Sequence, residues 1–290
     1  MKNLINVVIS LSLIGLLFTG CTKDKINEVA KVKVHVNDFS ISQDEFSTKD
    51  SPASYSGVKA MTLAFYDGTT EVYKTTQYKD TASTYTTFGE FDLSLPMGNY
   101  TMVVIGHGLN AGESAVTLTS PTTATFGTNH ARETFAATQA VNITTTDAVE
   151  LSASLDRIVS KLQVASTDVR PTAAGSVRMT FAAGSKSFNP TTGLATDNTG
   201  FSNTVTISTA VGSTTLSNSY LFLNTDEQTM NVTIETLDAD GAVLFSKTVE
   251  NVPFQRNRVT KLTGAMYTNS SVSGAFQLET AWIDQYEDTF

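Results

Sequence analysis

Cysteine is almost missing from this chain of 290 residues, with Cys21 the only one. An intrachain disulfide is excluded, so apolar burial and backbone hydrogen bonding must hold whatever fold forms. Histidine is nearly as scarce: His35, His107 and His130 lie far apart, without the spacing of a metal-ligand set. Dense Lys/Arg blocks are missing and the formal net charge is -9, so a phosphate backbone finds little attraction and no nucleic acid partner is expected. After Cys21 no apolar run reaches the roughly 20 residues that a bilayer crossing needs. Apolar residues at helical spacing never persist for long, whereas threonine and other β-branched residues are abundant.

Catalytic constellations are missing as well. Ser56-Gly57-Val58-Lys59 has a Ser-x-x-Lys spacing, but that chemistry needs both residues on one helical turn, and Val58 opens an apolar strand pattern. Gly106-x-Gly108-x-x-x-Gly112 lacks the lysine and following helix of a phosphate loop, so these glycines read as turn residues. Asp238 and Asp240 are paired carboxylates suited in principle to acid–base work or calcium, yet they sit beside Gly241, where aspartates shape hairpins. Tyr85, Tyr100 and Trp282 are candidates for a sugar-stacking platform, although Trp282 falls in an alternating stretch that suits a core. No metal and no cofactor are expected, and the balance points to a non-enzymatic protein that works by contact.

What is present begins at the N-terminus. Lys2 precedes a short apolar run, Leu11 to Cys21, that ends Phe18-Thr19-Gly20-Cys21 and gives way at once to polar Thr22-Lys23-Asp24-Lys25. This is the form of a secretory signal, too short to span a membrane. Small residues followed by a cysteine match a bacterial lipoprotein signal, in which residues 1–20 are removed and Cys21 carries lipid, such as palmitate. Phe18 stands where such signals usually carry leucine; the alternative is an ordinary secretory signal with a leftover thiol. Attachment would then rest on acyl chains, each buried methylene worth about 0.8 kcal/mol.

About 270 residues remain, enough for two domains. Residues 21–30 read as a polar tether. Val32, Val34 and Val36 then alternate with Lys31, Lys33 and His35, the period of a half-buried strand. A loop is expected from Asp44 to Ser56, and a hairpin from Val58 to Tyr66 and Glu71 to Tyr78 across Asp67-Gly68. Phe91, Leu93 and Leu95 mark a half-exposed strand, and Tyr100 to Ile105 a central one. Two or three short strands should follow before Val149, with a helical turn possible only at Asn129 to Thr138. Later strands are expected at Ser219 to Leu223, at Asn231 to Leu237 and Val243 to Val249 as a hairpin, and at Phe276 to Ile283.

The two halves echo one another in order. Lys161 to Val164 resembles Lys33 to Val36, Gly175 to Phe181 resembles Gly57 to Leu63, and Val252-Pro253-Phe254 resembles Leu95-Pro96-Met97. The chain is therefore read as all-β, with sandwiches over 31–154 and 155–290.

Three features together resemble a known family: the lipoprotein signal at Cys21, the segment Leu155 to Leu162, and the stretch Asn251 to Thr260 with Pro253, Asn257 and Arg258. The chain is similar to the fimbrillin-like lipoproteins of Bacteroidetes-type fimbriae, the anchor or minor subunits above all. The resemblance implies two tandem transthyretin-like β-sandwiches, a cell outer membrane and surface location within a fimbrium, a role in adhesion, and other fimbrial subunits as partners. It also implies assembly by strand addition. In stalk subunits of that family an arginine-directed cut removes the first strand; here the first arginine is Arg132, which favours an anchor, while Lys49 remains a candidate processing site. Thr81, in Asp80-Thr81-Ala82, resembles an O-glycosylation acceptor of this bacterial group. The rival reading is a surface glycan-binding lipoprotein of a nutrient-uptake system, which exposed coplanar aromatics would favour.

Overall fold

The structure is a computed structural model that describes residues 28–40, 49–79, 85–127, 130–268 and 277–280. Cys21, Thr81 and Trp282 lie outside them. The first half of the chain forms β1 (Val29–Ser40), β2 (Lys49–Asp50), β3 (Ala60–Asp67), β4 (Thr70–Tyr78), β5 (Glu90–Pro96), β6 (Gly98–His107), β7 (Thr117–Ser120), β8 (Thr123–Thr125), β9 (Thr134–Ile143) and β10 (Val149–Arg157). The second forms β11 (Ser160–Ser166), β12 (Ser176–Phe181), β13 (Ser187–Phe188), β14 (Phe201–Thr206), β15 (Leu216–Leu221), β16 (Glu227–Leu237), β17 (Val243–Gln255), β18 (Val259–Gly264) and β19 (Gln277–Thr280).

Two sandwiches follow from the pairing, in the transthyretin-like plan that the resemblance implied. In the first, β1 lies between β5 and β10, and β6 lies between β3 and β9, with β4 on the outer edge of β3. Asp156 and Arg157 at the end of β10 also pair with Ala136 and Phe135 of β9, so the two layers meet at one corner. Alternation decides what lies between the layers: Val32, Val34, Phe91, Leu93 and Leu95 from one side meet Met61, Leu63, Phe65, Met102 and Val104 from the other. The second sandwich repeats the plan, with β11 between β15 and β18, and β12 between β14 and β16, which also pairs β17.

This repetition assigns the echoes. Lys33 to Val36 and Lys161 to Val164 both lie in the first strand of a sandwich, parallel to its closing strand β10 or β18. Gly57 to Leu63 and Gly175 to Phe181 both lead into a strand flanked by two antiparallel neighbours. The proline echo is a correction: Pro96 ends β5, whose counterpart is β15, whereas Pro253 lies within β17. Short Pro-containing runs match easily, and topology separates them. The division drawn at Ser154 falls inside β10, and the chain crosses to the second sandwich at Ile158 and Val159.

A third apolar cluster joins the halves. The strands β3 and β6 are buried on both faces: Ala64, Tyr66, Val103 and Ile105 point away from the first core and are covered by Leu118, Phe126, Phe188 and Phe222. The cover is a small sheet, β13-β8-β7, to which both halves contribute. Phe188 and Phe222 stack at 4.2 Å between centroids. Double burial is why Tyr100 to Ile105 reads as continuously apolar. Among the described residues of the stretch Asn129 to Thr138 no helical turn forms; Thr134 to Thr138 belong to β9, where pairing with β6 runs from His107 opposite Thr134.

Candidate functional site

The seat of β1 is the natural place to look for function, because a strand enclosed on both sides over a core can be exchanged only at the cost of that core. Seven register pairs join β1 to β5, from Val29 with Pro96 to His35 with Glu90, and eight join it to β10, from Val32 with Val149 to Ser40 with Asp156. Ala30, Val32, Val34 and Val36 are buried. Between Val36 and Asp38 the register shifts at a β-bulge, which re-phases the strand so that Phe39 rather than Asp38 turns inward. Phe39 is fully buried, 4.9 Å from the Phe135 ring and 5.7 Å from that of Tyr55. Gly106 makes room for it: a Cβ there would sit 3.1 Å from Phe39 Cε1 and 3.3 Å from Val58 Cγ1. Gly106 is thus a strand glycine required by close approach, not the turn residue expected.

Lys49 lies in β2, paired with Ser40, rather than in the open loop expected. Its Nζ is 3.4 Å from Asp38 Oδ2 and its side chain is exposed. The following turn is fastened by Lys79, whose ammonium donates to the carbonyl oxygens of Pro52, Ala53 and Tyr55 at 3.0, 2.9 and 2.9 Å. Charge-assisted donation to three carbonyls satisfies backbone groups that the turn itself leaves open.

Beneath Phe39 lies a partly buried polar network that sequence reading missed. The Tyr55 hydroxyl donates to Glu133 Oε1 at 2.7 Å, and Arg157 Nη2 lies 2.9 Å from the same oxygen and 3.1 Å from the Tyr55 hydroxyl. Arg157 Nη1 donates to Asn257 Oδ1 at 3.3 Å, reaching into the second sandwich, and its guanidinium lies 5.0 Å from the Phe135 ring centroid. Burial, reinforced by the Glu133 charge, pushes the Tyr55 phenol well above its ordinary range, and burial pulls the Lys161 ammonium down. Asn257 adopts φ 57° and donates its N–H to Val159 O at 3.0 Å, fixing the crossover. No local pattern announces this network, since Tyr55, Glu133, Arg157 and Asn257 lie in four separate segments.

A second polar cluster sits at the end of β6. Arg132 forms a bidentate pair with Glu113, and His130 Nε2 lies 3.8 Å from Glu113 Oε2. Partial burial alone would raise the Glu113 carboxyl, but Arg132 and the Asn110 N–H outweigh it and hold it at about 2. Burial pulls His107 down to about 4, so it is neutral at pH 7; its Nε2 accepts from the Val116 N–H at 3.1 Å, which leaves Nδ1 to donate to Gly108 O. Among the described residues no three His, Cys, Asp or Glu side chains come together as a metal-ligand group. Asp238 Oδ1 accepts from the N–H groups of Asp240 and Ala242 at 3.0 and 2.8 Å, the turn-shaping role expected. Tyr100 is buried, its hydroxyl donating to Pro96 O at 2.9 Å, so it presents no face to a sugar. Tyr85 is half-buried, 6.0 Å from the Phe88 ring. A cleft of about 560 Å³ lies in the second sandwich among Gln228, Pro253, Phe254, Arg258 and Val259.

These features define a tandem β-sandwich protein whose first strand completes the core of the first sandwich beside that sandwich's closing strand, β10. The chain belongs to the family described as "Family of unknown function (DUF6562)", whose model matches residues 31–287. No curated protein matches the sequence. Solved structures with a similar fold include a candidate adhesin of Bacteroides ovatus, 12% identical, with 84% of this chain and 88% of that one covered at TM-score 0.48. Another, a candidate polysaccharide binding protein of Bacteroides thetaiotaomicron, is 12% identical over 87% and 95% at 0.48. The fimbrial anchor protein Mfa2 of Porphyromonas gingivalis is 13% identical over 81% and 90% at 0.44.

Proposed function

We propose that this chain is a lipid-anchored, non-enzymatic subunit of a fimbrium, its anchor, held in the cell outer membrane through Cys21 and joined to other fimbrial subunits by strand-mediated contact in cell adhesion. The observation that carries the reading is the seat of β1. Its apolar residues are buried between β5 and β10, and the turn that follows β2 is fastened by Lys79 and, through Tyr55, by Glu133. A strand held this way suits a subunit that keeps its N-terminus and therefore its lipid. The first arginine supports the same reading: Arg132 lies beyond β8, well past β1 in the sequence, and is engaged by Glu113.

Acyl labelling and N-terminal sequencing of fibre-associated protein test it together. The expected result is an acylated chain beginning at Cys21, with Cys21→Ala released from the membrane or left as precursor. An unlipidated chain with a uniform start between Ser40 and Tyr55 would overturn the anchor role.

A further inference from the structure

The order of pairing has a mechanical consequence. In the first sandwich, β1 and β10 are parallel neighbours, with Val32 opposite Val149 at one end and Ser40 opposite Asp156 at the other. The chain enters at the Val29 end of β1 and leaves at the Arg157 end of β10. Those points lie at opposite ends of the pair. A pull between the N-terminus and the second sandwich therefore acts along both strands, across their hydrogen bonds, and the eight register pairs share it. The seven register pairs between β1 and β5 are loaded in the same sense, because β5 moves with the body of the sandwich.

We propose that the first sandwich is a tension-bearing unit, a shear clamp in which β1 is the strand that carries load into the fold. For the source of that load the inference rests on the anchor reading, in which the N-terminus is tied to a membrane and the rest of the chain to its partners. Two details oppose sliding. Moving β1 by one residue along its groove would turn Val32, Val34 and Val36 toward solvent. The bulge between Val36 and Asp38 also sets Phe39 among Tyr55, Phe135 and Gly106, so withdrawal toward the N-terminus must first drag that ring from a closed site. On the far side, the carboxylate of Glu133 and the amide of Asn257 hold Arg157 at the exit of β10. The second sandwich repeats the parallel pair, with Lys161 opposite Val259 and Ser166 opposite Gly264.

Single-molecule pulling on residues 21–290 measures this without any fimbrial partner, so its outcome is independent of whether the lipid and anchor assignments hold. One handle is attached through Cys21, the second through Val169→Cys for shear or Thr146→Cys for unzipping; both positions are exposed, and Thr146 lies at the end of the pair where β1 begins. At one pulling rate, rupture in the shear geometry should need a several-fold higher force, because all the bonds must fail together rather than in succession. Thr172→Cys and Ala148→Cys, also exposed, repeat the comparison and separate geometry from any local effect of a handle. Equal forces in the two geometries, or a lower force in shear, in both handle pairs would overturn the proposal.

Discussion

Phe39 and Gly106 offer a quantitative test of how β1 is seated. Phe39→Ala empties a fully buried site flanked by two aromatic rings, and truncations of this kind cost about 3–5 kcal/mol. Against a domain stability of about 5–15 kcal/mol that loss is large. Gly106→Ala acts in the opposite sense, pushing a methyl to 3.1 Å from Phe39 Cε1, and such overpacking costs about 1–3 kcal/mol. With Phe39 already truncated, the main obstruction is gone and only Val58 Cγ1, at 3.3 Å, still crowds the new methyl. The double variant should therefore be less destabilised than the sum of the singles, by at least about 1 kcal/mol. Urea unfolding of residues 21–290, followed by near-ultraviolet circular dichroism, supplies the cycle; Gly106→Val in the same background keeps the sign readable if the alanine effect is small. Additive singles would show that Phe39 does not fill the space Gly106 leaves and would refute the account of β1.

Glu133→Gln should destabilise the crossover by about 3–5 kcal/mol, since it removes the negative charge 2.9 Å from the buried Arg157 guanidinium, and replacing both residues by leucine should recover much of the loss in thermal unfolding. Lys79→Met should leave the carbonyls of Pro52, Ala53 and Tyr55 without their donor, and limited proteolysis near Lys49 should quicken while the global unfolding midpoint moves less. Acid should weaken the fold in two stages. His107 titrates near 4 in the fold against 6.5 free, so the unfolded chain binds the extra proton and stability falls as pH drops from about 6.5 to 4. Glu113, held at about 2 against 4.5, contributes stability that is present above about 4.5 and is lost on going down toward 2. His107→Gln should remove the upper stage and leave the lower one in denaturation midpoints measured against pH.

How far the sequence could be read depended on whether a residue's environment was local. Val32, Val34 and Val36 disclosed β1 because alternation is a property of neighbours, and Asp67-Gly68 disclosed the β3–β4 hairpin for the same reason. Phe39 was not legible: a single-residue bulge inverts the phase, and nothing in Val36-Asn37-Asp38-Phe39 marks where it falls. The double burial of β3 and β6 shows as apolar density, but what covers their outer faces comes from Phe126, Phe188 and Phe222, far along the chain. Arg157 entered the reading only within the segment Leu155 to Leu162, nothing around Glu133 points to it, and only the meeting of β9 with β10 places the two together. Pairing with β6 makes Thr134 to Thr138 a strand although their composition does not exclude a helical turn.

The third apolar cluster bears on the order in which this protein becomes itself. Chain synthesis delivers β1 through β10 first, yet the outer faces of β3 and β6, with Ala64, Tyr66, Val103 and Ile105, wait for Phe188 and Phe222. Until the chain has grown past residue 222, the first sandwich carries a hydrophobic flank with its final cover unmade. The halves are thus not interchangeable modules that recombination could shuffle freely. A stop codon or a proteolytic cut between them would produce two sticky fragments rather than two working domains, and a quality-control protease would meet the first of them with that flank only partly covered, by Leu118 and Phe126.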